Sequence, residues 1–412
     1  MIQPKNPHER KNAKEERKVV KNKIKRKIGE NERTKIENKL IEMESVKNDS
    51  NKYFQAVREL KRKERKPEII VENDDGNIVG SHKEQANAIA QHFERMLAPS
   101  DKDQDDLIYP PIKMSKPFET KEIEKAAKSM KNGKSCGIDN IHAEHIKYAP
   151  SSVHQEIANI LNETAETGNY PLELKTGILT PLPKPNKKKG PRENLRPIML
   201  LSVLRKILTI CLIHRAWDRI STRIAKDQAA YQNERSTTEQ VLAIKLLVEK
   251  AITTNDFTIY ILMLDMSKAF DTVDRKQLFE ALEEVLLPEE LHLLHILIND
   301  VFIQVRVGDD LSPAFKSLIG IIQGDCLSAI LFIFYLAIAL TPKVKNDHNY
   351  AIENFNQIKW KSFIQEENLF TISPKYVDDV TWASNSESVI DMVKETVQPM
   401  LKDAKLKVNE SE

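Results

Sequence analysis

The stretch Phe257-Thr258-Ile259-Tyr260-Ile261-Leu262-Met263-Leu264-Asp265 constrains the fold more than any other part of this 412-residue chain. The residues before the aspartate show no helical periodicity and are mostly aromatic, β-branched or aliphatic, so they predict a strand buried on both faces. Such a strand delivers Asp265 at its C-terminal end. In open α/β arrangements that is where ligands bind. A carboxylate there is costly unless it is paired or bound to a metal. Met266-Ser267-Lys268-Ala269-Phe270-Asp271 then turns into a helix predicted from about Asp274 to Leu286, for which Asp271 and Asp274 read as caps in preference to metal ligands.

A second carboxylate site lies far downstream, in Lys375-Tyr376-Val377-Asp378-Asp379-Val380. Strand-like segments flank it, Leu369-Phe370-Thr371-Ile372 before and Val380-Thr381-Trp382-Ala383 after. The two aspartates are therefore expected in a two-residue hairpin turn. Adjacent carboxylates at a strand tip repel each other, and a divalent cation between them relieves the repulsion. Mg²⁺ held by one or two carboxylates plus substrate phosphates is the arrangement phosphoryl transfer uses. The plainer reading is a solvated Asp-Asp turn. The third element is Gly320-Ile321-Ile322-Gln323-Gly324-Asp325-Cys326-Leu327-Ser328. Gly320 and Gly324 would let the backbone approach a ligand, Gln323 would touch a nucleotide or template base, and Ser328 would cap the helix that follows.

Charge divides the chain unevenly. Net charge is +2 overall, yet residues 1–66 hold roughly 22 Lys and Arg against about 11 Asp and Glu, leaving the remainder mildly acidic. In this leader Val20, Ile24 and Ile28, then Ile36, Leu40 and Met43, recur at helical spacing, with Gly29 as a weak point. Runs such as Lys23-Ile24-Lys25-Arg26-Lys27 and Lys61-Arg62-Lys63-Glu64-Arg65-Lys66 suit phosphate contacts or nuclear import, or else a solvated linker helix. Only Cys136, Cys211 and Cys326 are present, without a Cys-x-x-Cys spacing, so neither a disulfide framework nor a zinc site is expected. No apolar region follows the basic N-terminus as a signal peptide would require. The longest apolar run, Leu327 to Leu340, spans about 14 residues, short of the roughly 20 a membrane span needs, and predicts a buried helix. These features point to an intracellular protein, nuclear or cytoplasmic and not secreted, without a membrane partner.

Between leader and strand the chain is predicted to form a helix capped by Ser81 and a Pro- and Asp-rich connector from Leu97 to Pro117. A helix from Thr120 to Met130, with Thr120 as its cap, and another from about Ser152 to Thr167 follow. Gly133-Lys134-Ser135-Cys136-Gly137-Ile138-Asp139 reads either as a turn or as backbone passing close to a nucleic-acid strand, at Gly133 and Gly137. His142 and His145 lack a third ligand nearby and read as ordinary histidines. Gly177-Ile178-Leu179-Thr180-Pro181-Leu182-Pro183-Lys184-Pro185 reads as a strand confined to a sheet edge by its prolines. With a second strand around Asn194-Leu195-Arg196-Pro197-Ile198 it forms a basic hairpin. Lys184 and Arg196 could fold over a triphosphate there, Arg with paired donors and Lys as a point charge.

Taken together, the motifs carry a resemblance. Asp265 with Phe270, the Gln323-Gly324 loop before an apolar helix, and Tyr376-Val377-Asp378-Asp379 resemble, in order, the three central motifs of reverse transcriptases. Asn132-Gly133-Lys134-Ser135-Cys136-Gly137-Ile138-Asp139, Leu182-Pro183-Lys184-Pro185 with Leu195-Arg196-Pro197-Ile198, and Gln228-Ala229-Ala230-Tyr231-Gln232 with Arg235-Ser236-Thr237-Thr238 are similar to further motifs of the non-LTR (LINE-type) retrotransposon enzymes. The likeness covers about residues 51 to 410.

What it implies is an α+β fold, a right-hand polymerase of fingers and palm, with an antiparallel palm sheet backed by helices and an N-terminal helical basic leader. The implied domains are a leader over 1–66, a linker region over 67–117 and the polymerase over 118–412. The implied activity is RNA-directed DNA polymerisation, with an RNA template, a DNA primer and dNTP as partners. Asp265, Asp378 and Asp379 would hold two Mg²⁺ ions about 3.5 to 4 Å apart, with Mn²⁺ as a substitute. Lys184, Arg196, Phe270, Gln323 and Gly324 would bind the nucleotide, Phe270 excluding a 2′-hydroxyl. Tyr376, Gly133 and Gly137 would meet primer and template. Ile322 and Ala329 stand where this family usually has proline, a loss of preorganisation and not of chemistry. Pro374 is awkward in a palm strand unless that strand is at an edge. Leu406-Lys407-Val408-Asn409-Glu410 resembles the opening of the next motif, so the chain reads as a fragment of a longer frame without endonuclease or thumb. Two alternatives of different class stay open on the sequence: a polymerase, or a decayed or repurposed nucleic-acid-binding module; within the enzyme class a group II intron or telomerase-like polymerase is a lesser alternative, disfavoured by the likeness of residues 51–98 to the linker of LINE-type elements.

Overall fold

The computed structural model describes residues 69–73, 76–98, 109–185, 187–232, 234–254, 258–299, 301–341 and 371–409, with scattered positions between 26 and 45. The chain divides into two compact units, Met1–Glu68 and Ile69–Glu412. In the first, the described positions are helical and exposed, and Arg26 pairs with Glu30 one turn on at 3.4 Å. Val20, Ile24, Ile28, Ile36, Met43 and the run Lys61–Lys66 lie outside the described residues, as do 99–108 of the connector and Leu369-Phe370.

The second unit begins at Ile69. Helix α1 (His82–Met96) starts where expected, because Ser81 and Glu84 form a reciprocal capping box. Its apolar face, Ile89, Ala90 and Phe93, packs with Leu179, Met199, Ile303 and Val305 in the smaller of two cores. Helix α2 (Thr120–Ser129) has Glu119 in the cap position without a side-chain bond. Thr120 is thus its first residue and no cap; its hydroxyl instead bonds Gln155 of α3 (Ser151–Thr167). Gly168 ends α3 in the left-handed conformation.

The first sheet has the order β2-β1-β5-β6, with β7 also on β5. Its strands are β1 (Thr176–Pro183), β2 (Leu195–Leu200), β5 (Phe302–Val307), β6 (Asp310–Leu311) and β7 (Phe315–Lys316). The expectation that prolines confine β1 to an edge is corrected here, since β1 lies between β2 and β5. Parallel pairing with β5 covers only Thr176 to Leu179. Pro181 and Pro183 come after it, where β2 alone is a neighbour, and Pro181 faces Pro197. The missing donors coincide, so the ladder loses little.

The second sheet is antiparallel throughout: β3 (Tyr260–Leu264) beside β10 (Asp379–Ser384), then β8 (Thr371–Ile372), with β9 (Lys375–Tyr376) also on β10. A short antiparallel pair, β4 (Met266–Ser267) with β11 (Lys407–Val408), forms a two-stranded sheet of its own. Burial of β3 on both faces is also corrected. It is an edge strand whose outer face is open, Met263 being 76% exposed and Ile261 37%. The hydrophobic run records one buried face and one face that no described element covers.

Behind the sheets stand helices α4 (Val203–Ser221), α5 (Thr237–Thr253), α6 (Arg275–Leu282), α7 (Pro288–Asn299), α8 (Cys326–Ala339) and α9 (Glu387–Asp403). Helix α8 is the expected buried helix, apolar all round and enclosed from Leu327 to Leu336. Ser328 does not cap it. Asp325 does, accepting from Leu327 N at 3.2 Å. Asp274 caps α6 as expected, accepting from Gln277 N at 3.0 Å. Helix α9 lays Val389, Val393, Val397 and Leu401, one turn apart, into the core shared with Val380 and Trp382. Each fully buried aliphatic side chain contributes about 1.5–3 kcal/mol, so this stripe fixes α9 against β10. Among the described residues no helix is long and apolar enough to cross a membrane.

Candidate active site

The register of β3 on β10 builds the carboxylate site. The β3–β10 ladder ends with Leu264 paired to Val380, so Asp265, next after Leu264, and Asp379, next before Val380, come to the same end of the strand pair. Asp379 in turn pairs with Tyr376. The two turn residues are therefore Val377 and Asp378, not the two aspartates, and Asp379 opens the outgoing strand. Asp378 sits at the tip.

Electrostatics bind the three together. Burial raises the pKa of Asp378, and the charges of Asp379 and Asp265 raise it further. Burial and Asp265 do the same to Asp379. Each carboxylate makes the next harder to ionise, and a cation among them would reverse that effect. Among the described residues no three His, Cys, Asp or Glu side chains form a ready-made ion cage. Asp265 Oδ2 accepts from Asn409 Nδ2 at 2.6 Å, and its carbonyl from Asn409 N at 2.9 Å. Oxygen donors few in number suit Mg²⁺, which keeps waters and phosphates in its shell.

The tip is strained. Val377 has φ +58°, which for a β-branched residue costs roughly 1–2 kcal/mol. Pro374 is accommodated because the edge ladder is interrupted between β8 and β9. Its carbonyl accepts from Thr381 N at 3.1 Å.

A second cluster joins the turn after Asp265 to the Gln-Gly loop. Phe270 is half-buried and stacks on Phe332 of α8, with centroids 4.8 Å apart. Ile321 N donates to Phe270 O at 2.8 Å. The close approaches that Gly320 and Gly324 permit are to the chain's own backbone. A Cβ on Gly320 would lie 2.6 Å from Asp271 O, and one on Gly324 2.8 Å from Met199 O. Arg275, buried, donates to Gly320 O, Ser317 O and Ile319 O at 2.8, 3.0 and 3.1 Å and so pins this loop.

Asp271 is no cap, contrary to expectation. It is buried in a 3-10 turn, Ala269–Thr272, where Gln323 Nε2 donates to both its oxygens at 3.4 and 3.5 Å. Burial pushes its pKa up to about 6, against the pull of Lys268, Gln323 and Lys184. The folded chain keeps this proton up to pH about 6, whereas the unfolded chain releases it near 4. Stability attributable to Asp271 therefore falls as pH rises from about 4 to 6, by about 3 kcal/mol, and stays low above. Asp271→Asn is expected to flatten that fall and to raise stability at pH 7 by about 1–3 kcal/mol, read by urea unfolding at several pH values. An unchanged slope would assign the pH dependence elsewhere.

Of the other sequence candidates, Lys184 lies near enough to Asp271 to lower its pKa, and Arg196 is exposed opposite Leu182 on the same hairpin. Tyr376 is partly exposed beside the tip. Gly133 and Gly137 belong to a different loop. Gly133 takes φ +70° with open space around it, and a Cβ on Gly137 would lie 2.6 Å from Ser202 N. Gly137 thus serves packing against the start of α4.

Three residues escaped the sequence reading. Tyr231 is exposed at φ +56°, and partial burial, with Tyr376, Cys326 and Asp378 adding to it, raises its pKa. Gln228 is buried against Val377. Asn409 holds Asp265. Membership of quoted motifs was their only signal; nothing local to Gln228 or Asn409 announces a partner about 145 residues away.

The family model described as reverse transcriptase (RNA-dependent DNA polymerase) matches residues 182–411. A probable RNA-directed DNA polymerase from transposon BS of Drosophila melanogaster is 26% identical over 314 residues, 73% of this chain and 34% of that protein. The corresponding protein from transposon X-element of the same species is 25% identical over 223 residues, 53% of this chain and 24% of its own length. Telomerase from Candida tropicalis, solved with a TWJ fragment of telomeric RNA, overlays with a TM-score of 0.41 at 14% identity, over 64% of this chain and 44% of that one. The chain spans about a third or less of the length of these curated relatives.

Proposed function

The chain belongs to the reverse transcriptase (RNA-dependent DNA polymerase) family, and on that premise we propose that it is the polymerase part of a non-LTR (LINE-type) retrotransposon protein, extending a DNA primer with dNTP on an RNA template. The observation that supports the reading is that Asp265 follows β3 at the end where β10 begins, with Asp378 and Asp379 in the adjoining hairpin and close enough for charge to act between them. Motif likeness outside the core, at Gln228–Gln232 and at Lys184 with Arg196, supports the LINE-type assignment.

In this reading Asp265 and Asp378, with Asp379 beside them, would hold the divalent ions. When bound, two such ions would ease loss of the hydroxyl proton and neutralise charge on the triphosphate and leaving pyrophosphate. Lys184 and Arg196 approach the triphosphate from the basic hairpin. Gln323 is held by Asp271 with its Nε2 turned inward, so its Oε1 is the atom left to accept a hydrogen bond from the nucleotide. Tyr376 and Tyr231 offer exposed rings beside the tip for a base or sugar. The test is extension of a labelled DNA primer annealed to RNA, with dNTP and Mg²⁺. Product that requires both template and dNTP is expected; none at any enzyme concentration in a folded sample would count against the proposal.

Phe270 supplies a sharper expectation. Its ring is held by Phe332 at the strand-to-helix turn five residues past Asp265, a position from which it would meet the sugar of an incoming nucleotide. Phe270→Ala is expected to lower the ratio of deoxy- to ribonucleotide kcat/KM by roughly tenfold or more. An unchanged ratio would mean that sugar selection lies elsewhere.

A further inference from the structure

Val377 is the first of two residues in a two-residue hairpin loop and the only one of the pair with positive φ, at +58°. That is the pattern in which glycine is the favoured residue. A valine there relaxes toward negative φ unless its surroundings hold it, and relaxation would swing Asp378, the next residue, off its line. Something must therefore hold the peptide groups on both sides of Val377.

Gln228 meets that need. Its side chain is buried, and its carboxamide engages Val377 as a second strand would: Val377 N donates to Oε1 at 3.1 Å, and Nε2 donates to Val377 O at 3.3 Å. Oε1 also accepts from Ala230 N at 3.1 Å, which fixes the orientation of the amide. The backbone around Gln228 is itself anchored on the incoming strand. Lys375 N donates to Asp227 O at 3.1 Å, and Ala229 N to Lys375 O at 2.9 Å. The buried Lys375 ammonium pairs with the Asp227 carboxylate. A short segment between α4 and α5 thus extends the ladder of β9 with backbone bonds at Lys375 and continues it at Val377 with a side chain.

We propose that Gln228 is a positioning residue for the carboxylates at the tip: its amide holds Val377 in the left-handed conformation and thereby sets the direction of Asp378. The inference rests on the reading of Asp378 as an ion-holding carboxylate, and it adds a residue about 150 positions upstream to the machinery. The side chain touches no reacting atom. It works only through backbone geometry, and only because residue 377 is not glycine.

The dependence on Val377 provides the test. In the full chain, binding of Mn²⁺ alone is measured by electron paramagnetic resonance, and hydrogen exchange is followed in the peptide spanning residues 374–380. Gln228→Ala is expected to weaken Mn²⁺ binding about tenfold and to speed exchange in that peptide by a similar factor. In the Val377→Gly background the same substitution should weaken Mn²⁺ binding by less than about threefold, since glycine adopts the turn unaided. A role confined to folding would give equal losses in both backgrounds, and that result would overturn the proposal, as would unchanged exchange in Gln228→Ala. If Gln228→Ala does not fold, Gln228→Glu, which keeps volume and acceptor but loses the donor to Val377 O, is expected to show the same dependence on residue 377. Asp378→Asn serves as the control: if it leaves Mn²⁺ binding untouched, the ion-holding role of Asp378 is wrong, whereas the hydrogen-exchange result still judges the clamp.

Discussion

Replacing Asp378 with Asn is expected to lower nucleotide incorporation by at least about a thousandfold, equivalent to about 4 kcal/mol of transition-state stabilisation. The substitution keeps the shape of the hairpin tip and removes one charge from the trio. That charge is costly in the resting chain, because burial, Asp379 and Asp265 all oppose the ionised form of Asp378. The same variant should therefore be more stable than the parent without divalent ions, an inverse relation between stability and activity that marks a functional site. Added Mg²⁺ should raise the melting temperature of the parent by mass action and that of Asp378→Asn much less. Thermal unfolding with and without Mg²⁺, alongside primer extension, reads both effects. Equal stabilisation of the two proteins by Mg²⁺ would remove Asp378 from the ion site, whatever the activity did.

The largest effect on stability is expected at Arg205. This guanidinium on α4 is 2% exposed and reaches Asp325, the cap of α8, at 3.3 Å. It also donates to Leu297 O at 2.5 Å and so ties α4, α7 and the Gln-Gly loop together. Arg205→Met leaves a buried carboxylate without its counter-charge and should cost about 3–5 kcal/mol. Adding Asp325→Asn removes that charge while keeping an oxygen to cap Leu327 N, and should restore most of the loss. Urea unfolding of the two single variants and the double closes the cycle. If the double variant were no more stable than Arg205→Met, the penalty would lie in lost packing of the long side chain and not in an unpaired charge.

Much of the carboxylate site was legible in the sequence because its parts are local patterns. A strand-like run ending in Asp265, a hairpin signal around Asp378 and Asp379, and an apolar stretch after Gln323-Gly324 each state their element within ten residues. Ser81 and Asp274 were legible as caps for the same reason: a cap bonds a backbone N–H two or three residues away. Asp271 and Ser328 misled by that same rule. The polar residue nearest a helix start is a good candidate, and which one bonds depends on where the first turn begins. The edge position expected for β1 failed because strand pairing is non-local, and the parallel partner β5, more than 120 residues later, takes only the half of β1 that has its N–H groups.

Sequence by itself singled out Asp265, Asp378 and Asp379 as candidates and determined the order of the elements around them and the buried character of α8, since periodicity and turn chemistry are written in neighbouring residues. Tertiary structure alone decided three other matters. It set the register that brings Asp265 and Asp379 to the same end of one strand pair, it brought Asn409 to Asp265 and Gln228 to Val377, and it buried Asp271 where its charge is disfavoured. Each of these depends on which surfaces meet when distant segments pack. A contact between residues about 150 apart leaves no trace in the local composition of either, because its energy is realised only after the chain between them has folded.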